Sequence, residues 1–297
     1  MVKKYAQKKQ KDTFYDLTIR EVKDMLPPIP MPRPIDPRLP TIPGVFLSIM
    51  KVKSGKSNLM VNMMLGENFY GGPVPVFDII YIISPTIKID KSSQPFMMEE
   101  LEDRVIIFDD MPRLDSFLRS ILDHQEEFDI KDPDNLPPTV AIVLDDISGF
   151  LKRNSNVSNL FTRYRHYNIS LFCSNQVIRG LPTEVRSQAT SVWLSSCYST
   201  VERDKMFEEY ADKFDRGWKG KSFRLEHIWD YCCEDRFNYC YLKLDDVAPR
   251  IFKIGCDGIE EIDWMNWHND TPCNESNIED DMDDDLQIDA TSESESE

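Results

Sequence analysis

Glycine is scarce in this chain of 297 residues, eleven in all, and its seven cysteines are odd in number and scattered. Only Cys232 and Cys233 adjoin, with no CxxC pair and no Cys/His ligand spacing. Zinc binding is therefore not expected, and reduced, buried thiols of a cytosol-like compartment are. Long apolar runs are also missing. The longest, such as "VFDIIYIIS", fall far short of the roughly 20 residues a membrane helix needs. The start, "MVKKYAQKKQK", is polar and basic, unlike a signal peptide. A soluble protein without a membrane span is the expectation. No internal repeat is visible.

Positive charge is in deficit as well, the formal net charge being −17. Taken alone, that excess of acid speaks against a nucleic-acid partner. Its placement changes the reading. From Glu275 onward "ESNIEDDMDDDLQIDATSESESE" holds eleven acids and no base, leaving the rest of the chain near −6. A local basic track remains compatible with such a balance.

A composition of 41% hydrophobic residues supports a large core. Residues 1–44 form a Lys-rich start and a proline-rich arm, "PPIPMPRPIDPRLPTIP", which proline keeps extended. From Val45, apolar runs alternate with stretches of helical period. The runs are "VFLSIM", "IIYIIS", "RVIIFDD", "TVAIVLDD", "ISLFCSN" and "SVWLSS"; between them lie "KSNLMVNMML", "PRLDSFLRSILDHQEEF", "SNLFTRYRHY" and "PTEVRSQA". Continuous apolar strands separated by helices predict an α/β fold, a mostly parallel sheet covered on both faces, over residues 45–200. Helices in "STVERDKMFEEYADKF" and "LEHIWDYC" and a strand pair, "NYCYLKL" and "RIFKIG", make a small α+β extension over 201–256. Residues 257–297 read as an acidic, largely disordered tail.

The stretch "SIMKVKSGKSNLMVNMML" is half of a phosphate-binding loop. A strand ends, the chain turns with its N–H groups inward, and a helix starts with its positive end toward the same anion. Gly55 sits at that junction and lets the backbone approach phosphate closely. Lys56 would reach the β- and γ-phosphates of ATP, and Ser57 would offer a hydroxyl to Mg²⁺. Ser54 completes the turn. The usual opening glycine is replaced by Met50, and a second glycine position by Lys53; Lys51 and Lys53 either add charge near the phosphates or are solvated. The competing reading is an ordinary helix start capped by Ser54.

Such a loop needs a carboxylate at a neighbouring strand end to hold Mg²⁺ through water. Two strand ends offer one, "VIIFDD" at Asp110 and "AIVLDD" at Asp146. If the second, Asp145 binds the hydrated ion and Asp146 orients or deprotonates the attacking water. Gln176 ends the following strand and is placed like a γ-phosphate sensor. The lysine–serine turn and the twin aspartates are expected to meet across adjacent strands.

In chain order, the loop, "AIVLDDISGFL", "RYRHYNISLFCSNQ" and "GLPTEVRSQATSVWLSS" resemble the genome-packaging ATPases of large nucleocytoplasmic DNA viruses and virophages. These belong to the FtsK–HerA superfamily of DNA-pumping motors, with a RecA/FtsK-like P-loop NTPase fold. "IIYIISPT" fits the family's second strand, which ends in a Thr/Ser-Pro turn. The resemblance covers residues 45–200 and assigns Walker A to Lys56 and Ser57, Walker B to Asp145 and Asp146, and the sensor to Gln176. "VIIFDD" then becomes an additional core strand. Arg165 is the candidate arginine finger acting on a neighbouring subunit, with Arg186 second.

What the resemblance implies is an Mg-dependent ATPase that forms a homo-oligomeric ring on double-stranded DNA. It would pump a viral genome into the capsid with capsid or virion-entrance components, in the host cell cytoplasm at the virus factory, or in the virion. Contacts to DNA would be to phosphates. "RGWKGKSFR" is the basic candidate for them, with Arg216, Lys219, Lys221 and Arg224 interleaved with Trp218 and Phe223; the Lys-rich start is another. The acidic tail would repel DNA, mimic it or bind a basic partner, and phosphorylation of Ser292, Ser294 and Ser296 would add charge. Two other functions compete: a nucleotide-binding assembly protein with little turnover, and a small-molecule kinase, for which no arginine-rich lid is visible.

Overall fold

The computed structural model describes residues 30–129, 132, 134–150, 156–196, 199–214 and 223–267. Fifteen elements frame the site. In chain order they are β1 (Val45–Ile49), α1 (Lys56–Leu65), β2 (Ile79–Ile83), β3 (Val105–Phe108), α2 (Leu114–Glu126), β4 (Val140–Asp145), α3 (Asn156–Arg163), β5 (Ile169–Asn175), α4 (Thr183–Ser187), β6 (Ser191–Leu194), α5 (Thr200–Tyr210), α6 (Phe223–Cys232), β7 (Tyr239–Lys243), β8 (Arg250–Gly255) and β9 (Gly258–Ile262). Short 3-10 turns join several of them.

All nine strands form one sheet in the order β3-β2-β4-β5-β1-β6-β7-β8-β9. The pairs from β3 to β6 are parallel, and those from β6 to β9 antiparallel. The expected α/β class with a mostly parallel, helix-flanked sheet is the fold observed.

Two buried layers explain the continuous apolar runs. Side chains alternate across the pleat, so Val45, Leu47 and Ile49 join one layer with residues of α2, α3, α5 and α6. Phe46 faces the opposite layer, with Leu59, Met60, Met63 and Met64 of α1. Phe46 and Phe172 stack there with centroids 4.0 Å apart, and the edge of Tyr70 meets both rings. Such pairs add about 0.5–1.5 kcal/mol beyond the area they bury. The arm packs on this layer through Leu39 and Ile42, and Tyr70 Oη donates to the Pro40 carbonyl at 2.7 Å.

The "VIIFDD" run is a further strand of the sheet, as expected, and lies at its edge: among the described residues β3 pairs with β2 alone, and Ile106 is 39% exposed. Two expectations change. The acidic tail does not begin at residue 257, because Gly258–Ile262 is β9 and Ile262 is buried. Ile262 joins one buried layer and Ile259 packs against the other, while Glu260 and Glu261 between them are exposed, as suits a strand at a sheet edge. Second, β1 and β4 are not adjacent. Strand β5 lies between them.

Candidate functional site

The six parallel strands direct their C-terminal ends to one edge of the sheet, where ligands bind in open α/β folds. At that edge β1 runs into the loop of residues 50–55. Met50 is buried, its N–H donating to the Asn175 carbonyl at 3.0 Å, so it anchors the loop to β5 instead of opening the turn. The turn itself is made by Lys53 at φ 65° and Gly55 at φ 90°. A Cβ on Gly55 would come within 2.5 Å of Tyr239 Oη and 2.9 Å of Phe237 Cδ1, so close approach and left-handed backbone both require glycine. Ser54 turns into the loop, its Oγ donating to the Lys51 carbonyl at 2.8 Å. Gly55, not Ser54, is the N-cap of α1. The first N–H groups of a helix have no partner within it and carry the positive end of its dipole.

Lys56 crosses the end of β5 to reach β4. Register places Asp145 beside Ser174, and Asn175 beside Ile49. Two strand spacings amount to roughly 10 Å, more than a lysine side chain spans, so the loop and the start of α1 carry Lys56 part of the way. Its Nζ lies 2.6 Å from Asp146 Oδ1 and 3.5 Å from Asp145 Oδ1. Asp146 has φ 51°, a conformation that aspartate tolerates better than most residues.

Burial raises the Asp145 carboxyl above the usual carboxylate range, with the Lys56 charge opposing it. The Asp145 Oδ1 atom is buried without a hydrogen bond, Lys56 reaching it only as an ion pair. The other oxygen lies 3.5 Å from the hydroxyl of fully buried Ser84. An acceptor left this way is costly unless something bound satisfies it.

A cavity of about 300 Å³ opens between these groups, lined among others by Gly55, Lys56, Ser57, Asp145, Asp146 and Gln176. Six of the sequence-predicted positions thus meet. Lys51 and Lys53 line it too. The other aspartate pair lies elsewhere: Asp109 pairs with Lys88 at 2.6 Å and Asp110 with Arg113 at 3.4 Å, beyond the edge strand.

Sequence reasoning missed Thr86, Asp90 and Ser92, which form a further wall. Burial raises the Asp90 carboxyl, but hydrogen bonds from Ser93, Ser92 and Ser57 outweigh it and hold it below the usual range. The available signal was the polar run directly after β2 in "ISPTIKIDKSS". With helix N–H groups, a lysine and several carboxylates around one space, the arrangement can take a polyphosphate and a hard cation together.

The arginines lie apart. Arg165 is exposed just before β5, at the edge opposite the cavity, its Nε donating to Tyr164 Oη at 2.9 Å. Seven strand residues, roughly 23 Å, separate it from this chain's own cavity. Arg186 is ion-paired with Glu209, and its Nη2 donates to Thr183 Oγ1 at 3.1 Å. Of the basic candidate, Arg216, Trp218, Lys219 and Lys221 lie outside the described residues, as do the Lys-rich start and the acidic run from Glu275. Arg224 is half-buried on α6 and donates to the Met265 carbonyl at 3.4 Å. No helix among the described residues is long and apolar enough to cross a membrane.

No protein-family model matches the chain, and no curated protein does. Solved structures do. The genome packaging NTPase B204 from Sulfolobus turreted icosahedral virus 2, in complex with ATP-gammaS, is 14% identical over 71% of this chain and 98% of its own, with a TM-score of 0.46. EssC (ATPases 2 and 3) from Geobacillus thermodenitrificans is 12% identical over 70% of this chain and 39% of its own, at 0.47. The type VII secretion ATPase EccC of Thermomonospora curvata is 13% identical over 74% of this chain and 23% of its own, at 0.41. The likeness is one of fold; what the site does rests on this chain's own side chains.

Proposed function

We propose that this protein is a genome-packaging ATPase of the FtsK–HerA superfamily, an ATP-hydrolysing translocase that moves double-stranded viral DNA into a capsid. One observation carries the reading. Lys56, on the first turn of α1, stands between the strand-end carboxylates Asp145 and Asp146 on a cavity shared with Ser57 and Gln176.

Each residue has work that its position supports. Lys56 exchanges its carboxylate partners for the β- and γ-phosphates when nucleotide enters, and the N–H groups at the start of α1 take the remaining phosphate oxygens. Ser57 and Asp145 would hold Mg²⁺; the buried Asp145 Oδ1 without a hydrogen bond fits a hydrated cation. Bound there, the ion would offset charge on the phosphoryl oxygens. Asp146, released by Lys56, orients the attacking water and accepts its proton, and Gln176 reports the γ-phosphate. Arg165 serves a neighbouring subunit in a homo-oligomeric ring, since its own cavity lies at the far end of β5.

DNA enters through phosphate contacts without base reading, and capsid or virion-entrance components are the further partners. The place of action is the host cytoplasm at the virus factory, or the virion. A second reading, a nucleotide-binding assembly protein with little turnover, draws on Lys53, which occupies a left-handed turn position without being glycine. ATP hydrolysis with and without duplex DNA separates the two. The motor gives DNA-stimulated turnover that fades as salt rises; a slow rate indifferent to DNA leaves the assembly role.

A further inference from the structure

The loop between β1 and α1 has few fastenings of its own. Within it the Ser54 N–H donates to the Lys51 carbonyl at 3.4 Å, and the Ser54 hydroxyl donates to the same acceptor at 2.8 Å. Neither bond fixes the peptide that joins Ser54 to Gly55. Glycine adopts positive and negative φ with similar ease, so the peptide before it turns over at little cost. A side chain from outside the loop holds it. Tyr239 Oη donates to the Ser54 carbonyl at 2.9 Å, across 185 positions of chain.

That donor belongs to the C-terminal extension and not to the parallel core. Tyr239 opens β7, beside Ile254 of β8, and only 6% of it is exposed. Its ring joins the buried layer that includes Leu59, Met60, Met63 and Met64 of α1. Burial pushes the phenol up to about 12, so the hydroxyl keeps its proton far above neutral pH. Phe237 leans on the same turn, where its Cδ1 would stand 2.9 Å from a Cβ on Gly55.

In a trans peptide the carbonyl and the following N–H point in opposite directions. With the Ser54 carbonyl turned out to Tyr239, the Gly55 N–H is turned away from β7. Gly55 lines the cavity with Lys56, Ser57 and Asp145, whereas Tyr239 lies outside that lining. We infer that Tyr239 is a positioning residue for this site, holding the Ser54 carbonyl outward so that the Gly55 N–H is aimed at a bound phosphate. Its role rests on the reading of Lys56 as a phosphate ligand. A phosphate loop ordinarily takes its shape from glycines of its own. Here Met50 and Lys53 stand in two of those places, and the extension supplies the hold they cannot.

Calorimetric titration of the full chain with inorganic tripolyphosphate reads the effect without turnover. Tyr239→Phe keeps the ring and removes the bond, and affinity should fall about five- to tenfold. Tyr70→Phe is the control. It removes a like bond, to the Pro40 carbonyl, in the same buried layer but away from the cavity lining. Its affinity should stay within about twofold of wild type.

The Gly55 amide gives a second readout by nuclear magnetic resonance. With isotope-labelled serine carbonyls and glycine nitrogens, Gly55 and Gly149 are selected because they follow serine, and Ser148→Ala removes the second signal. Tripolyphosphate should move the Gly55 proton downfield in wild type and in Tyr70→Phe, and much less in Tyr239→Phe.

An unchanged affinity in Tyr239→Phe, a fall in affinity with the Gly55 shift intact, or an equal fall in Tyr70→Phe overturns the role of Tyr239. Lys56→Ala tests the phosphate site separately. Loss of tripolyphosphate binding in that variant upholds the phosphate site even where Tyr239 fails. A wild-type chain that does not bind tripolyphosphate overturns both.

Discussion

Lys56 Nζ lies 2.6 Å from Asp146 Oδ1 and 3.5 Å from Asp145 Oδ1, although an entire strand separates β1 from β4. The contact joins the positive end of a helix to two adjacent carboxylates, one of which has a buried oxygen. Removing the lysine leaves two like charges without their cation. Lys56→Ala should therefore lose about 1–2 kcal/mol at neutral pH, less than a fully buried pair because Asp146 is one-third exposed. The fold should persist. Urea unfolding followed by circular dichroism checks this, and the deficit should shrink as acid protonates the carboxylates.

Asp145→Asn should act in the opposite direction. The folded state holds the Asp145 carboxyl above its ordinary range, so it favours the fold most in acid, and that stability is lost as pH rises through the raised value. Asparagine never acquires the charge. At pH 7 the variant should be more stable by about 0.5–2 kcal/mol, the pattern of a site that trades stability for function. The gap should close below the ordinary carboxylate range, near pH 4. Thermal melts across pH 4–8 measure it; a variant less stable than wild type at pH 7 contradicts the electrostatic account of Asp145.

Lys53 adopts φ 65°, which disfavours any residue with a Cβ by about 1–2 kcal/mol. Glycine relieves that strain but adds freedom to the unfolded chain, worth about 0.5–1 kcal/mol. Lys53→Gly should come out stabilised by about 0.5–1 kcal/mol in chemical denaturation. If the loop also limits turnover, its hydrolysis rate should rise.

Gly55→Ala meets both a left-handed φ and a Cβ only 2.5 Å from Tyr239 Oη. A loss of about 1–3 kcal/mol is expected. Tyr239→Phe removes the clashing oxygen and also its bond to the Ser54 carbonyl, costing about 1 kcal/mol alone. The double variant should be milder than the two losses combined, by about 0.5 kcal/mol or more. Strict additivity would mean that Tyr239 does not press on the loop.

Much of this was legible because burial and period coincide. "KSNLMVNMML" is α1 from end to end, and "ISLFCSN" is β5. Lys56, Asp145, Asp146 and Gln176 converge because each follows or ends a parallel strand, and parallel strands end together. The rest lacked a periodic signal. Thr86, Asp90 and Ser92 lie around an irregular 3-10 turn. The intervening β5 was hidden, since strand order is not written in local pattern. Strand β9 reads as tail because Glu260 and Glu261 dominate it.

The most direct test is steady-state ATP hydrolysis by the full chain with Mg²⁺ and duplex DNA, wild type against Lys56→Ala. A lysine between phosphates and twin aspartates predicts a rate in the variant about 100-fold lower or less, with its circular dichroism unchanged. Hydrolysis at the wild-type rate in Lys56→Ala would contradict the account.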